Sequence, residues 1–208
     1  MATTHTALPP MTTRIFYFSP SSLSSLKIVA SAHSCNDALH AVLWRHITLA
    51  RNPCQNALVS ATYSSTYPQT TPLLYAVNVR LRFSPPLPLT YLGNASMTGI
   101  TERLSISTLT SLLSLTAAAT TIRASINAFN TPNRVLLTLG LIASRPDPTD
   151  YKFAYNRFLG PDQSTTTWAD FGVYEMEWGS LGSRNVSEFR ERGWMARLLC
   201  CRGWMGVD

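Results

Sequence analysis

At 208 residues, 45% of them hydrophobic and with aromatic and β-branched residues throughout, the chain can bury a core, which excludes a disordered polymer. Its net charge of +6 comes almost wholly from arginine, Lys27 and Lys152 being the only lysines. The charges stand singly, which excludes a nucleic-acid arm and a polybasic membrane tether, and at 13% they are too few to cover the whole surface, so part of it is expected to meet something else.

Residues 1–13 read as a disordered N-terminus, followed by a strand over 14–18 built from Ile15, Phe16, Tyr17 and Phe18. Ser19 and Pro20 form an N-cap and first-turn pair that opens a helix through Leu23, Leu26 and Ala30. A second helix is expected over 36–51, with Leu39, Val42, Leu43, Ile47 and Ala50 at helical spacing, a cap at Asn36 or Asp37, and a stop at Asn52-Pro53. The Ser/Thr/Tyr-rich stretch 55–71 includes a loop. Residues 73–83 read as a strand, because Val77, Val79, Leu81 and Phe83 alternate with Asn78, Arg80 and Arg82. Pro85, Pro86 and Pro88 stop it.

A long amphipathic helix is expected over 109–129, with Leu115, Ile122, Ile126 and Phe129 on one side. Residues 134–144 fit a helix or a buried strand equally, and Arg145-Pro-Asp-Pro148 is a turn. The stretch 165–178 reads as extended, with a glycine-rich exit at Gly179 and Gly182. From Ser183 the periodicity fades, and Arg-Gly-Trp-Met occurs at both Arg192 and Arg202, so 184–208 reads as an atypical tail. No repeat or linker divides the chain, and one structural unit over 14–183 is the economical expectation. No basic leader opens the chain, and the longest apolar run, around 135–143, is too short for a bilayer, so a cytoplasmic protein is expected. Cys35, Cys54, Cys200 and Cys201 lack metal-ligand spacing.

Three blocks stand in order along this pattern. The first is Arg14-Ile-Phe-Tyr-Phe-Ser-Pro-Ser-Ser-Leu-Ser-Ser-Leu-Lys27 with Asn36-Asp-Ala-Leu39 and Leu43-Trp-Arg45. The second is Val77-Asn-Val-Arg80, Arg82, Pro85-Pro-Leu-Pro88 and Tyr91-Leu-Gly-Asn94. The third is Thr167-Trp168, Val173-Tyr174 and Glu177-Trp-Gly179. Together they resemble the BAHD acyltransferases and their fungal relatives acting on trichothecenes. Within them Asn78 stands where the family has Asp, Leu92 where it has Phe, and Glu177 where it has Asp.

The resemblance implies an α/β fold of the CoA-dependent, chloramphenicol acetyltransferase-like type, present in part, with a mixed sheet and packed helices. It also implies acyl transfer from an acyl-CoA co-substrate, with no metal, to a small-molecule alcohol, as in the making of fungal mycotoxins. Such transfer needs a base at the acceptor hydroxyl and a donor for the tetrahedral oxyanion. The family takes its base from a His-x-x-x-Asp motif upstream of the first block, for which residues 1–13 have no room. The chain thus reads as the C-terminal half of such an enzyme, weak or inactive alone, with a polypeptide carrying the N-terminal half as partner. The alternative is a non-catalytic protein that docks on a complete acyltransferase.

His33 and Asp37 satisfy the bare His-x-x-x-Asp spacing, but a four-letter pattern is common by chance, and Asp37 capping the helix explains it better. His40 and His46 read as surface or boundary residues. The resemblance makes Asn94 a contact to the CoA pantetheine or acyl carbonyl, with a turn residue after Gly93 as the alternative, and sets Thr167 and Trp168 along the channel, with a buried strand pair as the alternative. It makes Arg80, Arg82, Glu177, Trp178 and Gly179 structural, the arginines through ion pairs, with loop positioning or CoA phosphates as the alternative.

Overall fold

A computed structural model of the chain describes residues 11–52, 70–111, 113–131, 133–147, 151, 155, 161–167 and 194–201. These fall into two compact units: residues 24–166, and residues 1–23 together with 167–208. In the smaller unit, β1 (Met11–Phe18) pairs antiparallel along its full length with β7 (Trp194–Cys201), from Met11 opposite Cys201 to Phe18 opposite Trp194. The strand therefore begins inside the segment expected to be disordered, and the tail supplies its partner. Backbone pairing across eight residues gives an order that the tail's side-chain pattern does not advertise.

Helix α1 (Pro20–Val29) opens as the Ser-Pro pair predicts: Ser19 Oγ accepts the Ser22 N–H at 3.1 Å and the Ser19 carbonyl accepts that of Leu23 at 3.0 Å. Helix α2 (Cys35–Arg51) starts one residue earlier than expected, because Ser34 is its cap. Its inner face differs from the Leu39-Val42-Leu43-Ile47-Ala50 stripe. Ala38, Ala41 and Trp44 are fully buried, whereas Val42, Leu43 and Ile47 are half-buried and Ala50 is exposed. The reason lies in the partner helix α4 (Ser114–Ala128), whose Ala118, Ala119 and Ile122 share one core cluster with Ala38, Ala41, Trp44, Leu73 and Leu109. Small side chains on both helices allow close approach, and the indole fills the remaining space.

The expected helix over 109–129 is two helices. α3 (Ile106–Thr110) is capped by Ser105, and the backbone turns extended at Ser111 before α4 begins. Hydroxyls cause the break: Thr110 donates to the Ser107 carbonyl and Ser111 to that of Thr108, competing with continuation of the helix. Arg45 then donates from Nε to the buried Ser114 Oγ at 2.8 Å, fixing the start of α4 against α2.

A mixed sheet of three strands stands beside these helices in the order β4-β3-β6. β3 (Leu73–Asn78) pairs antiparallel with β4 (Ser96–Ile100) and parallel with β6 (Gln163–Thr165). β2 (Thr70–Thr71) and β5 (Leu104–Ser105) form a separate antiparallel pair. Gln163 anchors β6 by donating from Nε2 to the Trp44 carbonyl at 3.1 Å and to Thr48 Oγ1 at 2.9 Å. A second core cluster of Val77, Val79, Ala95, Phe129 and Val135 lies at the other end of β3.

Residues 134–143 settle as a helix, α5 (Arg134–Ala143), entered through Asn133 at φ 69°. Asparagine tolerates this left-handed conformation better than most residues. On α5 only Val135 is buried, while Leu136, Leu137, Leu139, Leu141 and Ile142 are exposed.

Candidate functional site

The second sequence block folds into a compact turn assembly between β3 and β4. The strand expected to run through residue 83 ends at Asn78, and residues Arg80–Arg82 form a single 3-10 turn. Asn78 ends it by turning its side chain back: Oδ1 accepts the Arg80 backbone N–H at 3.1 Å, an Asx turn that offers the backbone an alternative to the sheet. Leu81, placed inward by simple alternation, is consequently exposed, whereas Val79 stays buried and donates its N–H to the Ala95 carbonyl at 2.9 Å.

Arg80 and Arg82 bond carbonyl and amide oxygens rather than the carboxylates expected of them. Arg80 donates from Nε at 3.3 Å and from Nη2 at 3.0 Å to the Tyr91 carbonyl, and from Nη1 to Asn78 Oδ1 at 3.4 Å. Arg82 donates from Nη1 to the Asn78 carbonyl and from Nε to Asn130 Oδ1 at 3.3 Å. Burial lowers the Arg82 pKa, and the neighbouring Tyr75 opposes that shift. Tyr75 itself is pushed up by burial, against its 2.6 Å hydrogen bond with Ser125 and the charges of Arg82, Arg134 and Arg123. It stays a neutral phenol at working pH.

Beyond the prolines, Tyr91 donates its N–H to the Pro88 carbonyl at 3.0 Å and its ring folds back over Gly93. A Cβ at position 93 would meet the tip of that exposed ring, which would have to swing aside. Leu92 is thrust outward, 99% exposed. Asn94 is exposed, and its Oδ1 accepts the Ser96 N–H at 3.1 Å. That bond is an Asx turn and occupies the amide oxygen, leaving the NH2 group to donate.

His33 and Asp37 are not joined. His33 is exposed in the bend before α2, whereas Asp37 is fully buried in its first turn. Asp37 does not cap the helix; Ser34 does, its Oγ accepting the Asp37 N–H at 3.1 Å. The Asp37 carboxylate is engaged by Arg123 of α4, with Nε at 2.9 Å and Nη2 at 2.5 Å from Oδ2. The pair ties α2 to α4. His40, expected at the surface or its boundary, is buried at 7% exposure, and this lowers its pKa against the opposing hydrogen bond to the Asn36 carbonyl and the Asp37 charge. His46 is exposed.

Thr167 is exposed, two residues past β6 and in the smaller unit. Trp168, Glu177, Trp178 and Gly179 lie outside the described residues. The structure thus gathers Arg80, Arg82 and Asn94 into one assembly. Sequence reasoning missed Asn130 and Arg123 as partners, 48 and 86 residues from Arg82 and Asp37, since neither belongs to a local pattern.

A family model described as the transferase family matches residues 8–192. The chain belongs to this family. Among relatives in it, an eremophilane O-acetyltransferase of Penicillium roqueforti is 33% identical over 202 residues, covering 93% of this chain and 40% of the relative. The acyltransferase easC of Emericella nidulans is 31% identical over 189 residues, covering 82% and 36%. The chain thus spans about 40% of the length of the first of them. Among solved structures, F. graminearum TRI101 complexed with coenzyme A and deoxynivalenol aligns with TM-score 0.68 at 18% identity, over 93% of this chain and 40% of that one. Vinorine synthase aligns with TM-score 0.64 at 17% identity, over 96% and 46%. The fold is that of the CoA-dependent acyltransferases, present in part, with the mixed sheet and packed helices its sequence blocks imply. Among the described residues, no helix is long and apolar enough to cross a membrane. No group of three His, Cys, Asp or Glu that could hold a metal ion occurs among them either.

Proposed function

We propose that this transferase contributes the Asn94 turn to a cytoplasmic enzyme that moves an acyl group, acetyl in the first instance, from acyl-CoA to a hydroxyl of a small fungal metabolite. The observation that carries this reading is the exposed Asn94 side chain, whose oxygen accepts the Ser96 N–H and whose NH2 group is thereby left to donate. A donor held in that way suits the carbonyl oxygens of pantetheine or of the acyl group. By resemblance alone, Thr167 and Trp168 are proposed as channel residues and Glu177, Trp178 and Gly179 as structural ones.

The relatives support it by their names, two of them being eremophilane O-acetyltransferases, and TRI101 has been crystallised with coenzyme A and with T-2 mycotoxin. The base that takes the hydroxyl proton is assigned to a polypeptide carrying the rest of the fold, since His33 is exposed and Asp37 is bound to Arg123. Transfer of labelled acetyl from acetyl-CoA to a panel of sesquiterpenoid alcohols tests this. The 208-residue chain alone is expected to give little or no product, and added N-terminal polypeptide from the Penicillium roqueforti relative is expected to raise it. Robust turnover by the chain alone, abolished by His33→Ala, would overturn the assignment of the base.

A further inference from the structure

We infer that Arg80 is the positioning residue of the Asn94 turn, and that Asn78 sets how firmly Arg80 holds it. Two segments meet on this one guanidinium. Two of its nitrogens reach the Tyr91 carbonyl, at 3.0 and 3.3 Å, and the third reaches Asn78 Oδ1 at 3.4 Å. The backbone of Arg80 joins in, its N–H donating to Asn78 Oδ1 at 3.1 Å and its carbonyl accepting the Leu87 N–H at 2.9 Å.

Tyr91 stands three residues before Asn94, and its main chain is held on both sides, the N–H by the Pro88 carbonyl and the carbonyl by Arg80. Holding the Tyr91 carbonyl therefore holds the direction in which the Asn94 amide points. A lysine cannot do this, since one ammonium lacks the planar fork that spans the Tyr91 carbonyl and Asn78 together. Asn78 receives both Arg80 bonds on a neutral amide oxygen. A carboxylate at the same place would turn the guanidinium bond into an ion pair and the backbone N–H bond into a charge-assisted one. Where the resembled pattern has aspartate, this chain therefore has a looser clamp. The role of the turn in binding coenzyme A rests on the reading given above; the clamp itself does not.

Amide hydrogen exchange of the 208-residue chain, followed by NMR together with coenzyme A titration, tests the inference. Arg80→Met and Arg80→Lys are each expected to speed exchange at Leu87, Tyr91 and Ser96 roughly tenfold, as loss of bonds from a charged donor implies, with α2 and α4 unchanged. Coenzyme A should bind correspondingly more weakly. Asn78→Asp is expected to slow exchange at the same three amides about threefold and to tighten coenzyme A binding. Unchanged exchange in Arg80→Met, or full rescue by lysine, would overturn the inference. If Arg80→Met unfolds the chain, Asn78→Asp decides alone, and unchanged exchange there counts against the clamp. Failure of the wild-type chain to bind coenzyme A would remove the proposed function, with the clamp still decided by exchange.

Discussion

Helices α2 and α5 carry their apolar residues to opposite ends. α2 buries Ala38, Leu39, Ala41 and Trp44, while α5, nearly all aliphatic, buries Val135 alone and leaves three leucines, Leu136, Leu137 and Leu141, more than half exposed. Apolar content therefore does not order these helices by burial. What separates them is the partner: α2 meets the small residues Ala118 and Ala119 on α4, which admit a close approach, and gains the cross-links Arg123 to Asp37 and Arg45 to Ser114. α5 has a leucine-rich surface that its own unit does not cover, in keeping with a chain that spans about 40% of its relatives' length.

The largest effect expected from this contrast is at Trp44. Trp44→Ala removes a fully buried indole from the α2–α4 cluster and is expected to cost about 3–5 kcal/mol in denaturant unfolding. A loss below about 1 kcal/mol would mean that the cluster collapses around the gap, or that α2 is not the centre of stability. The smallest is at Leu137, which is 70% exposed. Leu137→Ser is expected to change stability by no more than about 0.5 kcal/mol and to improve solubility. A loss of about 2 kcal/mol in the same assay would show that this face of α5 is covered in solution and would erase the contrast.

The elements that were legible in the sequence are those with punctuation. Ser19-Pro20 announces α1, Asn52-Pro53 stops α2, and the β-branched and aromatic run after Arg14 announces β1. Where a side chain diverted the backbone, the pattern misled: Asn78 ended a strand whose alternation continued on paper, and the hydroxyls of residues 107–111 split one expected helix into two. β4 was not recognised, because Ser96 and Gly99 carry little strand signal. Its glycine is needed where the Tyr75 ring crosses the neighbouring strand. Trp44 was passed over in favour of a leucine stripe, since periodicity finds a face but not the size of the gap it must fill.

The site divides in the same manner. Arg80, Arg82 and Asn94 could be picked out through a family pattern, but their partners could not. Tyr91 meets Arg80, and Asn78 meets Arg82, through main-chain oxygens, which every residue type has, and Asn130 comes from the turn just past α4. The His33 to Asp37 spacing shows the converse, a motif on paper whose two side chains the fold commits to different surroundings.

The account rests most directly on the Asn94 amide as a contact for coenzyme A. Calorimetric titration of coenzyme A into the wild-type chain and into Asn94→Ala measures it. The wild type is expected to bind, and the variant to bind roughly fivefold to tenfold more weakly with its fold intact, the share of one hydrogen bond. Equal affinity in the two proteins, or no binding by the wild type, would contradict the account.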